Sequence, residues 1–130
     1  MNLRLLITED DATLRRMYAT VLGKLPGVDV DYASTPQDCH ELLDHHQYDL
    51  ALFDIDLKDP KEDGLDLLKW MRQQAPTSAV LMMSSMDDGM TVARCLDLGA
   101  SGFLSKNHEF VRTLQSKVRT EVLRHVVHAS

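Results

Sequence analysis

The segment LALFDIDLKDPKEDG, Leu50 to Gly64, opens as an unbroken apolar run and ends in acids, with Asp54 closing the run and Asp56 just beyond it. A carboxylate at the end of a buried strand is costly unless a cation or a metal faces it. Three other places in the chain bring groups that could meet it. LRLLITEDD ends on Glu9, Asp10 and Asp11, AVLMMSS ends on Ser84 and Ser85, and GFLSK ends on Lys106. Two carboxylates about 4 Å apart repel by roughly 4 kcal/mol at an effective dielectric of about 20. Glu9, Asp10 and Asp54 therefore belong together only around a cation, and an all-oxygen site that keeps waters suits Mg²⁺. Lys106 adds a second, fixed positive charge. Two cations facing one carboxylate form a phosphoryl-binding site, with Asp54 as nucleophile and Ser84 donating to a phosphoryl oxygen. Asp11 has a competing role as a helix N-cap.

These residues are far apart in sequence, so a particular order of elements must gather them. Five short apolar runs read as strands: Leu3 to Ile7, Val28 to Ala33, Leu50 to Phe53, Ala79 to Met83 and Gly102 to Ser105. The first, third and fourth are almost wholly apolar, as strands covered on both faces are. VDVDYA alternates and belongs nearer an edge. Between them, Leu14, Met17, Tyr18, Val21, Leu22 and Leu25 recur at helical spacing. Thr35 with Pro36 opens a second helix, LDLLKWMRQQAP forms a third closed by Pro76, and DDGMTVARCLDLGA forms a fourth that stops at Gly99. The fourth has a weak apolar stripe, which predicts the loosest packing. A fifth is expected from Asn107, as N-cap, through Val126. This alternation predicts an α/β fold, a doubly wound parallel sheet of five strands with five surrounding helices. In such sheets ligands bind beyond the carboxyl ends of the strands, where all the residues named above fall.

The 130 residues suit a single domain, 1–130, with no repeats, low-complexity tracts or internal linker. A net charge of −6 with no dense basic run argues against direct nucleic-acid binding. No apolar run approaches the roughly 18 residues of a membrane span, and the N-terminal run is too short for a signal peptide. Cys39 and Cys95 suggest no disulfide framework, and a cytoplasmic location is expected. Cys39 and His40 with His45 and His46, or His125 with His128, lack a complement at tetrahedral zinc spacing, so surface histidines are the expectation.

The whole set resembles the receiver domain of two-component response regulators, across essentially the full chain. LLITEDDATLRRM is similar to the family's first strand, acidic pair and first helix, and YDLALFDIDL to its phosphoacceptor strand. VLMMSS supplies the hydroxyl residue, and GASGFLSK the switch aromatic and the lysine. The resemblance implies a flavodoxin-like strand order 2-1-3-4-5 and phosphoryl transfer to Asp54 from a histidine kinase or phosphotransfer protein. It implies Mg²⁺ held by the Asp10 and Asp54 carboxylates and the Asp56 backbone carbonyl, with Glu9 acting through water. Ser84 and Phe103 would form the switch, and the face of the fourth helix, fifth strand and fifth helix would change shape, a possible homodimer contact. The output would be a downstream protein or a fused domain, and the chain would not be a general catalyst. Departures lie at Leu57 and Lys58, where a Met-Pro pair is common, in the charged loop KDPKED, and at Asn107, which replaces the proline often found after the lysine. Met86 and Asp56, two residues past Ser84 and Asp54, are placed to screen an acyl phosphate from water.

Two rivals carry different chemistry. FDIDL also fits the D-x-D motif of haloacid-dehalogenase-type phosphatases. There, however, that motif usually follows the first strand and further acids come after the lysine. The other rival is a receiver-like interaction module that is never phosphorylated. Acetyl phosphate with Mg²⁺ and an intact-mass measurement separates that module from a working receiver.

Overall fold

The computed structural model describes residues 2–129. Strands and helices alternate as β1 (Leu3–Thr8), α1 (Ala12–Leu22), β2 (Val28–Ala33), α2 (Pro36–His45), β3 (Leu50–Asp54), α3 (Gly64–Gln74), β4 (Ala79–Ser84), α4 (Gly89–Asp97), β5 (Gly102–Ser105) and α5 (Phe110–Ala129). The strands pair in parallel in the order β2-β1-β3-β4-β5, the doubly wound topology expected. The apolar runs β1, β3 and β4 take the interior positions, and alternating β2 lies at an edge. β1, β3 and β4 each run one residue past the apolar stretch, so Thr8, Asp54 and Ser84 are the last residues inside the sheet.

Side chains alternate across a strand, and this period sorts the core into two layers. On one face Leu5, Ile7, Leu50, Leu52, Leu81, Met83 and Leu104 pack against Tyr18 and Leu22 of α1 and Phe110, Leu114 and Val118 of α5. On the other, Leu6, Ala51, Phe53, Val80 and Met82 pack against Cys39 of α2, Leu67, Leu68 and Met71 of α3, and Cys95 of α4. Cys95 is the buried residue of α4, in keeping with the weak stripe read there. Both cysteines are free and buried, and burial pushes the Cys39 thiol up to about 12.

Helix starts follow local side-chain chemistry. Asp11 Oδ1 accepts from the amides of Thr13 (2.8 Å) and Leu14 (3.1 Å), and Thr35 Oγ1 from Asp38 (3.1 Å). Asp63 and Asp66 each accept the other's amide at 3.0 Å, a reciprocal capping box that opens α3. Two expectations are corrected. α1 stops at Leu22, where the Leu25 amide closes a tight turn onto the Leu22 carbonyl at 3.0 Å, so Leu25 lies outside the helix. α5 begins at Phe110, so Asn107 does not cap it directly. Its side chain accepts the Glu109 amide at 2.9 Å and closes a turn that leads into the helix.

Opposite the functional edge, Arg72 at the end of α3 clamps two loops. Its Nε donates to the Gly99 carbonyl at 2.6 Å and its Nη1 to the Ser78 carbonyl at 2.6 Å. Gly99 sits at φ +102°, and a Cβ there would stand 2.9 Å from Arg72 Nε, so glycine is required on both counts. Among the described residues no helix is long and apolar enough to cross a membrane.

Candidate functional site

The sheet's hydrogen-bond ladders continue one residue past the strands and bring the chemistry with them. The Glu9 amide donates to Ala33 O (3.0 Å), Ile55 to Met83 O (2.9 Å) and Lys106 to Ser84 O (2.9 Å). Counting in twos from the core, Glu9 follows Leu5 and Ile7, Asp54 follows Leu50 and Leu52, and Lys106 follows Leu104. All three therefore leave the sheet on the α1–α5 side. Ser84, in step with Val80 and Met82, leaves on the α2–α4 side, as does Phe103.

Lys106 Nζ donates to Glu9 Oε1 at 2.6 Å and to Asp54 Oδ2 at 2.9 Å. Both acids are almost fully buried, at 1% and 2% exposure, so the lysine is the charge that makes their burial tolerable. Asp54 Oδ1 accepts the Asp56 amide at 3.0 Å. Asp10, less buried, accepts the Lys58 amide at 3.0 Å, which ties the β3–α3 loop to the β1–α1 loop. Oxygen atoms of Glu9, Asp10 and Asp54 all lie within 4.8 Å of one another, the acidic cluster expected from the sequence.

Burial pushes the Glu9 carboxyl up to about 7; Asp54 adds to the rise, while Lys106 and Tyr18 oppose it. Burial works to lower Lys106, but Glu9 and Asp54 outweigh it and hold the ammonium above its ordinary value. The Tyr18 hydroxyl is raised far above the usual phenol range, by burial first and then by its hydrogen bond to Glu9.

Ser84 is fully buried and donates to Asp56 Oδ2 at 2.8 Å, while its own oxygen accepts the Met86 amide at 3.0 Å. The Asp56 side chain therefore meets the serine, a contact that spacing alone did not suggest. Phe103 is half-buried against the α2–α4 core layer. The loop with the unusual composition is well tied: Leu57 is buried, and Asp59 Oδ1 accepts the Lys61 (2.9 Å) and Glu62 (3.1 Å) amides. Glu62 pairs with His40 Nε2 at 2.8 Å, and His40 stands edge-on to Trp70. The surface reading holds for His45, His46 and His128, and is corrected for two others: His40 is 28% exposed and half-buried against a carboxylate, and His125, 19% exposed, faces Asp49 at 3.9 Å. Gly64 ends the loop where a Cβ would overlap the Asp54 carbonyl oxygen and stand 2.7 Å from its carbon, so no larger residue fits beneath the acid.

Sequence reasoning missed Tyr18 as part of the site. It had been counted only in the apolar stripe of α1, yet its hydroxyl donates to Glu9 Oε1 at 2.6 Å. A tyrosine in a stripe otherwise made of Leu, Met and Val was the available signal, because a buried phenol needs a partner.

A doubly wound parallel sheet with an acidic cluster, a buried aspartate and a lysine at its carboxyl edge defines a phosphoacceptor class of signalling domain. A family profile described as "Response regulator receiver domain" matches residues 5–119. The chain belongs to that family, and so to two-component phosphorelay signalling, which sets aside the phosphatase rival. It is 32% identical over 101 residues to the response regulator protein PilR of Pseudomonas aeruginosa, covering 78% of this chain and 22% of that protein. It is 26% identical over 129 residues to a protein-glutamate methylesterase/protein-glutamine glutaminase of Methylobacillus flagellatus, covering 92% of this chain and 36% of that protein. The chain thus spans about a third or less of these curated relatives, at 36% and 22%. Among solved structures, the receiver domain of the Francisella response regulator 1452 superposes with a TM-score of 0.83 at 25% identity, covering 95% of this chain and 99% of that one. A CheY-like receiver domain protein of Methanospirillum hungatei gives 0.83 at 23% identity, covering 98% and 99%.

Proposed function

We propose that Asp54 is the phosphoacceptor of a single receiver domain spanning residues 1–130. The carrying observation is Lys106 Nζ bridging Glu9 and Asp54 at 2.6 and 2.9 Å beside the carboxylate cluster. The donor set fits a hard divalent cation, being all oxygen, anionic and partly open to water at Asp10. The Asp10 and Asp54 carboxylates and the Asp56 backbone carbonyl would hold Mg²⁺, with Glu9 acting through water. When bound, that ion supplies charge neutralisation of the phosphoryl oxygens.

The chain's own residues do the rest. Asp54 offers a carboxylate oxygen to the phosphorus of a phosphohistidine on a histidine kinase or phosphotransfer protein. An O–P bond forms as the N–P bond breaks, and the electron pair stays on the imidazole nitrogen, which takes up a proton. Lys106 turns from Asp54 toward the transferred group and neutralises its charge. Ser84 gives up Asp56 to donate to a phosphoryl oxygen, and Phe103 turns inward behind it. This biases the α4–β5–α5 face toward the conformation read by a downstream protein, a fused output domain or a second copy of the chain. Incubation with acetyl phosphate and Mg²⁺ followed by intact-mass measurement tests the reading. One phosphoryl group is expected on the protein and none on Asp54→Asn. An unmodified native chain, or equal modification of the variant, overturns it.

A further inference from the structure

Tyr18 is wholly buried on α1, yet its hydroxyl is turned out of the apolar layer and onto a carboxylate. It shares Glu9 Oε1 with Lys106, each donor standing 2.6 Å from that oxygen. The ring is held from behind by Phe110, edge-on with centroids 6.0 Å apart, and the hydroxyl also lies 4.0 Å from Met83 Sδ. The donor is therefore fixed by packing rather than free to follow its partner.

Glu9 needs such a fixture. Its side chain is a methylene longer than aspartate and has one more torsion to settle. Its other oxygen, Oε2, faces the Asp11 amide at a long 3.4 Å, which restrains it weakly. Of the two donors on Oε1, Lys106 has a second commitment, 2.9 Å away on Asp54. Once Lys106 is drawn to a phosphoryl group, Tyr18 is the donor that stays.

We propose that Tyr18 is a positioning residue for the cation site, its hydroxyl pinning Glu9 toward Asp10 and Asp54 while Lys106 changes partner. This rests on the reading that these acids take Mg²⁺ and that Asp54 takes a phosphoryl group. Groups that orient the acids around a metal typically govern its affinity by tenfold or more, and one neutral donor acting on one acid belongs at the low end.

The test is calorimetric titration of the full chain with Mg²⁺, alongside its rate of modification by acetyl phosphate. Tyr18→Phe keeps the ring and removes the donor. It is expected to weaken Mg²⁺ binding about tenfold and to raise by the same factor the Mg²⁺ concentration that gives half the maximal rate of modification. Val118→Ala opens the same core layer but leaves Phe110 behind the ring and the hydroxyl on Glu9, and is expected to lower Tm without changing Mg²⁺ affinity. In a Glu9→Gln background, Tyr18→Phe should have no further effect on affinity. The role is overturned if Tyr18→Phe binds Mg²⁺ as the native chain does. It is equally overturned if Val118→Ala weakens binding as much, or if the loss persists in the Glu9→Gln background. A native chain that neither binds Mg²⁺ nor is modified overturns the underlying reading, and the role with it, before any variant is compared.

Discussion

Glu9 is the acid most altered by its surroundings. Lys106 from the loop after β5, Tyr18 from α1, Asp54 from β3 and the Asp11 amide all face it. In the metal-free protein burial lifts its carboxyl from 4.5 to about 7. Between those values the folded state holds a proton that the unfolded chain has released, so stability falls as pH rises through this window and levels off above it. Urea midpoints recorded from pH 4.5 to 7 should show that decline in the native chain and a flatter profile in Glu9→Gln. A native profile no steeper than the variant's counts against the assignment. On the proposed function, Met86 bears on a different quantity. It is 59% exposed, and its amide rests on the Ser84 hydroxyl at the rim of the site. Met86→Ala should admit water and shorten the phosphoryl lifetime roughly threefold, read as loss of label after the donor is removed.

The loop from β3 to α3 shows how one element positions another. Asp63 and Asp66 fix the start of α3, the Lys58 amide is held by Asp10, and Gly64 lies against the backbone of Asp54. Gly64→Ala would press a methyl group into backbone at Asp54 and Ile55, which has no flexible end to yield. A loss of about 2 kcal/mol in urea unfolding is expected, with slower modification by acetyl phosphate because the acid itself is displaced. Unchanged stability would mean that the loop shifts freely. The strands, the five helices apart from the end of α1 and the start of α5, and the acid–lysine set could be read from sequence because each depends on local period, caps or strand ends. Tyr18 on Glu9, Ser84 on Asp56 and Lys58 on Asp10 could not. Each joins residues whose meeting depends on side-chain direction after the chain has folded, at separations of 9, 28 and 48 residues. Asn107 misled for a related reason, since a turn intervenes between the capping side chain and the helix it precedes.

Across the whole molecule, charge and packing are unevenly shared between the two ends of the sheet. The carboxyl end carries the buried acids and Lys106, while Arg72 holds the loops at the other. α4 buries Cys95 and exposes Met90 at 86%, so it is the helix with least to lose by moving. Hydrogen exchange should find its amides less protected than those of α3, and equal protection would contradict the packing. Its two ends are not equivalent. The Gly99 carbonyl, just past its C-terminus, is gripped by Arg72, whereas at its N-terminus a single exposed hydroxyl, that of Ser105, donates to Asp87 Oδ2 at 2.7 Å, and the surroundings of Gly89 are open. A helix gripped by an arginine at one end and by one exposed hydroxyl at the other would swing like a gate rather than slide, so a push from Ser84 would travel outward as an arc. Its sweep would be widest beside Met90 and vanish at the arginine hinge-post.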